Sequence, residues 1–319
     1  MKLINLIIWR RSKWLPIVIV VAMTGCGGAH TAQNRDINNK LQVDGKVKVT
    51  TTVNMVGDLV REVGGDHVKV SELMGPGVDP HLYKASAGDV AKLVNADVVF
   101  YVGLLLEGKI QDTLEKVESA HAVAEGIDHE RLLKPSEFEG HFDPHIWFDV
   151  MLWVETVDVV VEGLGKADPE HLSDYKMNGE VTKEKMRALH QWALTKVEEL
   201  PENKRILITS HDAYNYFARA YDFQVVGLQG ISTVSEASLA DVAKMVDFIK
   251  DKGVKAVFVE SSVSPAAIKR ISQDSGAKIG GELFSDAMGE RGRMEGGYDL
   301  GTYEGMIKHN LNTIVEALK

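Results

Sequence analysis

The sequence predicts an α/β protein of two halves joined by one long helix. Three observations carry that expectation: β-rich runs alternate with amphipathic stretches from Lys46 onward, the same alternation returns after Arg205, and Glu170 to Leu200 between them contains a single breaker, Gly179.

In the first half, KVKVTTTVN from Lys46, HVKVSELM from His67 and DVVFYVG from Asp97 read as strands rich in β-branched residues. Helical patterns at Met55 to Val63 and Ser86 to Val94 separate them, which implies parallel βαβ units. Asp168 is a good N-cap and Pro169 suits the first helical position, so a helix should start there; Pro201 ends it. At about 1.5 Å per residue it spans on the order of 45 Å, enough to run along both halves. The later strands are RILITS (205–210), FQVVGL (223–228), AVFVES (256–261) and KIGGELF (278–284). Helices at Ser238 to Lys250 and Pro265 to Ser275 lie between them, and Thr302 to Leu318 closes the chain. The expected organisation is an N-terminal α/β lobe over 46–168, a linking helix over 169–200 and a C-terminal α/β lobe over 201–319.

A chain of 319 residues, 45% hydrophobic and 26% charged, can bury a sizeable core. Its 36 Lys and Arg stand against 46 Asp and Glu, spread along the chain, which argues against a nucleic-acid partner. Residues 1–25 differ. Lys2, Arg10, Arg11 and Lys13 precede the apolar stretch Trp14 to Met23, the pattern of an export signal, and that stretch is shorter than the ~20 apolar residues of a spanning helix. The sole cysteine, Cys26, rules out an intramolecular disulfide and a cysteine-rich zinc site. Met23-Thr24-Gly25-Cys26 resembles a bacterial lipobox, with Met where Leu is usual, so Cys26 is expected to carry a lipid and residues 26–45 to form a polar tether. Cleavage there removes four positive charges and no negative ones, taking the formal charge from −10 to −14.

Four residues stand out for their chemistry. His81 ends the turn-rich Gly75-Pro76-Gly77-Val78-Asp79-Pro80-His81, and His145 ends a second Asp-Pro-His tripeptide, where proline stiffens the presenting loop. His211 and Asp286 each follow directly on a strand, where ligands of open α/β sheets bind. Taken singly, each also fits a plainer role: Asp-Pro is common turn chemistry, His211 suits a helix cap or the core, and Asp286 suits an N-cap. Three imidazoles and one carboxylate make a suitable ligand set for a borderline divalent ion such as zinc or manganese, but they lie far apart in sequence, so only the fold can assemble them. Glu260 fits either an acceptor that holds a ligand imidazole or an internal salt-bridge partner. Trp147, Phe148 and Trp153 read as core, and His30, His67, His121, His129, His171, His190 and His309 as surface histidines.

The segments GVDPHLYKAS, DPHIWFDVMLW, LITSHDAYNYFARAY, GLQGISTVSEAS, FVESSVSP and GGELFSDAMG resemble, in order, the signatures of the TroA-like (cluster A-I) metal receptors of ABC-type importers, over Lys46 to Lys319. The resemblance implies two Rossmann-like lobes bridged by one backbone helix, with a metal site in the interlobe cleft. It places the four ligand positions on His81 and His145 of the first lobe and His211 and Asp286 of the second. The implied protein is a monomeric receptor, lipid-anchored outside the cell membrane, that captures one zinc or manganese ion and delivers it to an ABC permease. His211 in the third position resembles the zinc branch, where the manganese branch carries Glu. The long His-rich loop common in periplasmic zinc receptors is absent: Lys134 to Phe142 offers only His141 beside Glu137 and Glu139. Zinc and manganese therefore both stay open.

Two other functions compete. An exported zinc-dependent hydrolase would need an open metal position and a nearby base, and the His-Glu-x-x-His pattern is missing. A surface adhesin or a receptor for chelated metal would favour a larger aromatic or Arg-lined cleft. Ser210-His211-Asp212 is no catalytic triad, because adjacent side chains cannot converge as nucleophile, base and orienter. An enzyme is not expected.

Overall fold

The computed structural model describes residues 45–138 and 140–319; the export segment, Cys26, His30, nearly all of the tether and Glu139 lie outside the described residues. The first half is a four-stranded sheet of β1 (Val47–Thr51), β2 (Val68–Glu72), β3 (Val98–Tyr101) and β4 (Ala120–Ala122) in the order β2-β1-β3-β4, every pair parallel. Crossovers pass through α1 (Asn54–Gly64), α2 (Ala87–Val94) and the short α3 (Gln111–Leu114). Strand β4 was not expected; three residues are too few to display an alternation, and only pairing with β3 defines it. Ser86 begins α2 with a capping box, its hydroxyl accepting from the Asp89 backbone N–H while the Asp89 carboxylate accepts from that of Ser86.

Helix α4 (Val150–Ala167) follows a 3-10 turn at Ile146–Phe148 and leads to a second such turn, Pro169–His171, and the 27-residue α5 (Leu172–Glu198). Asp168 occupies the cap position without making a cap hydrogen bond, contrary to the sequence expectation. Its carboxylate accepts instead from the Tyr175 hydroxyl and pairs with His171 Nδ1, each at 2.7 Å, because Asp168 also ends α4 and faces the α4–α5 seam. Gly179 does not break α5. A Cβ there would stand 2.7 Å from Val161 Cγ2, so the glycine lets α4 and α5 approach closely.

The second half holds two parallel ladders, β5 (Ile206–His211) with β6 (Gln224–Gln229) and β7 (Ala256–Glu260) with β8 (Lys278–Leu283), and β5 lies alongside β7. α6 (Asn215–Tyr221), α7 (Leu239–Lys252) and α8 (Ala266–Ser275) connect them. A small hairpin of β9 (Met294–Glu295) and β10 (Tyr298–Asp299) precedes the closing α9 (Tyr303–Leu318). The two lobes and the long helix match the fold class read from the sequence.

Two hydrophobic clusters organise the described residues. The smaller lies in the second half, with Ile208, Leu228, Met245, Ile249, Val257, Ile268 and Ile271 between strands and the α7–α8 layer. The larger runs from the first sheet through Trp147, Phe148 and Trp153 to Leu311, Ile314 and Leu318 of α9, so it spans both halves. α5 packs against α1, α4 and α9, which makes it the common spine. Each large apolar side chain buried there contributes about 1.5–3 kcal/mol relative to exposure. No described helix is long and apolar enough to cross a membrane.

Not every remaining histidine lies free on the surface. The rings of His67 and His171 stack at 3.9 Å, and His67 Nε2 pairs with Asp174 at 3.1 Å, which ties the turn before β2 to the start of α5. His190 is half-buried in α5 beside Tyr221.

Candidate metal centre

Three loops and the end of β5 deliver the candidate residues to one point. His81 follows β2 through a Gly77 turn (φ 72°), His145 precedes the Ile146–Phe148 turn, His211 is the last residue of β5, and Asp286 lies three residues beyond β8. One ligand atom from each lies within 4.8 Å of the others. His81 Nε2 stands 3.4 Å from His145 Nε2, His145 Nε2 is 3.4 Å from Asp286 Oδ1, and His211 Nε2 is 3.3 Å from Asp286 Oδ2. Donors about 2.0–2.1 Å from a tetrahedral zinc would stand about 3.3–3.4 Å apart, and these three separations match that spacing.

The site is closed to solvent: His145, His211 and Asp286 are 0% exposed and His81 is 3%. Within it, His211 Nε2 and both Asp286 oxygens are buried without a hydrogen-bond partner. Buried polar atoms left unpaired are costly, and a cation at their common focus would satisfy all three.

Carboxylates behind the rings orient two of the three imidazoles. Asp143 Oδ1 accepts from His145 Nδ1 at 2.8 Å and from its backbone N–H at 2.9 Å. Glu260 at the end of β7 accepts from His211 Nδ1 at 2.6 Å and from its backbone N–H at 2.9 Å. Both contacts hold the proton on Nδ1 and turn the Nε2 lone pair inward. Glu260 thus pairs with His211 and orients its ring. Asp143 was not singled out as an orienting residue; the available signal was an acid two residues before each loop histidine.

Electrostatics separate the three rings. Burial drives the His81 pKa down to about 3, outweighing attraction from Asp286. Burial also opposes charge on His145, but Asp143 and then Asp286 prevail and lift it to about 9. At His211 burial is likewise overcome, by Glu260 and Asp286, and its pKa rises well above the usual value. Burial disfavours the Asp286 carboxylate, yet His211 and His145 hold its pKa well below normal.

Trp147, Phe148 and Trp153 are buried in the core, as expected; Trp147 also donates to the Ser285 carbonyl at 3.0 Å, and Phe148 stacks on Tyr214 at 4.3 Å. His141 is exposed and does not join the cluster.

Two α/β lobes closed over a buried set of side chains able to hold a metal ion define a bilobed solute-binding protein of the metal-uptake kind. Residues 49–317 match the family model described as ZnuA, zinc-uptake complex component A, periplasmic, and the chain belongs to that family. It is 45% identical over 306 residues to the manganese-binding lipoprotein MntA of Bacillus subtilis (strain 168), covering 93% of this chain and 95% of that one. It is 44% identical over 283 residues to the zinc-binding protein TroA of Treponema pallidum (strain Nichols), covering 86% and 90%. The solved structure of periplasmic zinc-binding TroA from Treponema pallidum superposes with a TM-score of 0.82 at 41% identity, covering 86% of this chain and 99% of that one.

Proposed function

We propose that this chain captures one zinc or manganese ion through His81, His145, His211 and Asp286 and delivers it to the permease of an ABC importer, while a lipid on Cys26 holds it at the outer face of the cell membrane. The observation that carries the reading is the convergence of four sequence-distant side chains whose inward atoms include a buried imidazole nitrogen and two carboxylate oxygens without partners. Family membership and the zinc- and manganese-binding relatives support it. So does the name of the lipoprotein relative, for the anchor.

A full set of protein ligands in a closed site suits a receptor that must hold its cargo, whereas a catalytic zinc keeps a position open for water. Asp286 faces His145 with one oxygen and His211 with the other, so it can supply one oxygen to a four-coordinate zinc or two to a manganese of higher coordination number. Both cargoes fit this donor set. In this reading the N-terminal lobe covers 46–168, the linking helix 169–200 and the C-terminal lobe 201–319, and metal stabilises the closed arrangement by joining the lobes.

His211→Ala should lose bound metal and the rise in melting temperature that metal confers. If metal content and melting temperature stay at wild-type levels, the ligand set is wrong. For the anchor, Cys26→Ser should leave the membrane fraction; a variant that still carries lipid there would overturn that part.

A further inference from the structure

The two Asp-Pro-His loops share one device and differ in one respect. In each, the carboxylate two residues before the histidine accepts that histidine's backbone N–H at 2.9 Å. In each, the second carboxylate oxygen accepts from a side chain of the other half of the chain: Asp79 Oδ2 from the Thr233 hydroxyl at 2.6 Å, and Asp143 Oδ2 from the Asn215 amide at 3.1 Å. Only Asp143 also reaches the ring of its histidine. The His81 imidazole makes no hydrogen bond or ion pair to a carboxylate among the described residues, whereas those of His145 and His211 are held by Asp143 and Glu260.

His81 is therefore set by its loop alone, and the loop is set from across the cleft. Thr233 lies on the segment between β6 and α7, is nearly buried, and spends its hydroxyl on Asp79. We propose that Thr233 is a positioning residue for His81: its hydrogen bond to Asp79 fixes the one imidazole with no carboxylate of its own, and breaking that bond makes His81 the first ligand to leave. The proposal rests on the reading of His81 as a metal ligand. It adds an order of release: the His81 loop swings away while His145, His211 and Asp286, each tied by other contacts, still hold the ion.

The test uses the full chain loaded with zinc and challenged with excess chelator, with the number of imidazoles on zinc read by X-ray absorption. Thr233→Val keeps the shape and removes the hydroxyl; it should release zinc about tenfold or more faster and carry one imidazole fewer. Thr233→Ser retains the donor and should behave as wild type. In a His81→Ala background, Thr233→Val should change the release rate no further, because the ring it positions is gone. A wild-type rate and imidazole count in Thr233→Val, or an undiminished effect of Thr233→Val in the His81→Ala background, would overturn the proposal. Melting of the metal-free variants identifies any that misfold, and Thr233→Ser then carries the comparison: a rate unlike wild type in that folded variant counts against the role of the hydroxyl. If His81→Ala itself releases zinc at the wild-type rate, the ligand assignment fails and the proposal with it. If His81→Ala is fast and Thr233→Val is not, only the role of Thr233 fails.

Discussion

The indole N–H of Trp147 donates to the carbonyl oxygen of Ser285 at 3.0 Å, joining the segment that carries His145 to the one that carries Asp286. Asn54 at the start of α1 grips the same loop beyond Asp286, accepting from the Met288 backbone N–H at 3.0 Å and donating to its carbonyl at 3.2 Å. Asp286 belongs to the second half by sequence, yet residues of the first half hold it on both sides.

Trp147→Phe keeps most of the ring packing and strands the Ser285 carbonyl. A buried acceptor left unpaired costs about 1–3 kcal/mol, so melting should fall by several degrees. Zinc competition should show about tenfold weaker binding, because the loop next to Asp286 loses its tether. Wild-type affinity in a destabilised protein would mean that this hydrogen bond does not set the site.

Metal-free stability and metal affinity should respond to pH in opposite directions. The raised pKa values of His145, about 9, and His211 mean that the folded metal-free protein holds protons an unfolded chain would release near 6.5. Their contribution to stability is fully present below about pH 6.5 and is lost as pH climbs through the raised folded-state values, about 9 for His145. Metal needs both nitrogens free, so each displaced proton weakens affinity by up to about tenfold per pH unit of acidification. His81, lowered to about 3, is already neutral and adds nothing over that range. Zinc titrations from about pH 5.5 to 8.5 should rise with a slope between one and two; a flat profile would contradict proton displacement.

Glu260→Gln tests the support behind His211. Glu260 accepts two hydrogen bonds, one through each oxygen, and a carboxamide has only one oxygen to offer. The amide nitrogen would face an N–H of His211. About 10- to 100-fold weaker metal binding is expected, checked by chelator competition.

Gly227→Ala tests how closely β6 must approach the end of β5. A Cβ there would meet the Asp212 backbone nitrogen at 2.5 Å and the His211 carbonyl carbon at 2.7 Å, and backbone atoms cannot swing aside as a side-chain tip can. Overpacking of this kind costs about 1–3 kcal/mol and displaces His211. Gly230→Ala meets nothing within 4 Å and is the control. Thermal melts and zinc affinity should both fall for Gly227→Ala and hold for Gly230→Ala.

Much of the fold was legible because its signals are local. Seven of the eight strands β1–β8 were read within three residues of their observed ends, since parallel strands covered on both faces are runs of β-branched residues. Strand β4 was missed for its length, and Asp168 takes the expected cap position without a cap hydrogen bond, because nothing in the sequence shows that Tyr175 and His171 compete for its carboxylate. The four candidate ligands were grouped mainly by the resemblance to the TroA-like receptors, with two stiff proline turns and two strand-end positions as support. Thr233, Asn215 and the two-oxygen use of Asp79 and Asp143 were not legible, because each depends on a contact across the cleft.

The sequence by itself determined the α/β alternation, the two halves and the long helix, which follow from short-range propensities and periodicity that act within one turn or one strand; the set of four candidate ligands came from the resemblance of its segments to the TroA-like receptors. Only the tertiary structure decided that His81, His145, His211 and Asp286 meet within 4.8 Å, that Asp143 and Glu260 orient two of the imidazoles, and that residues of the first half hold the Asp286 loop. Those arrangements arise when hydrophobic burial brings distant segments together along α5 and α9. Sequence spacing carries no record of them.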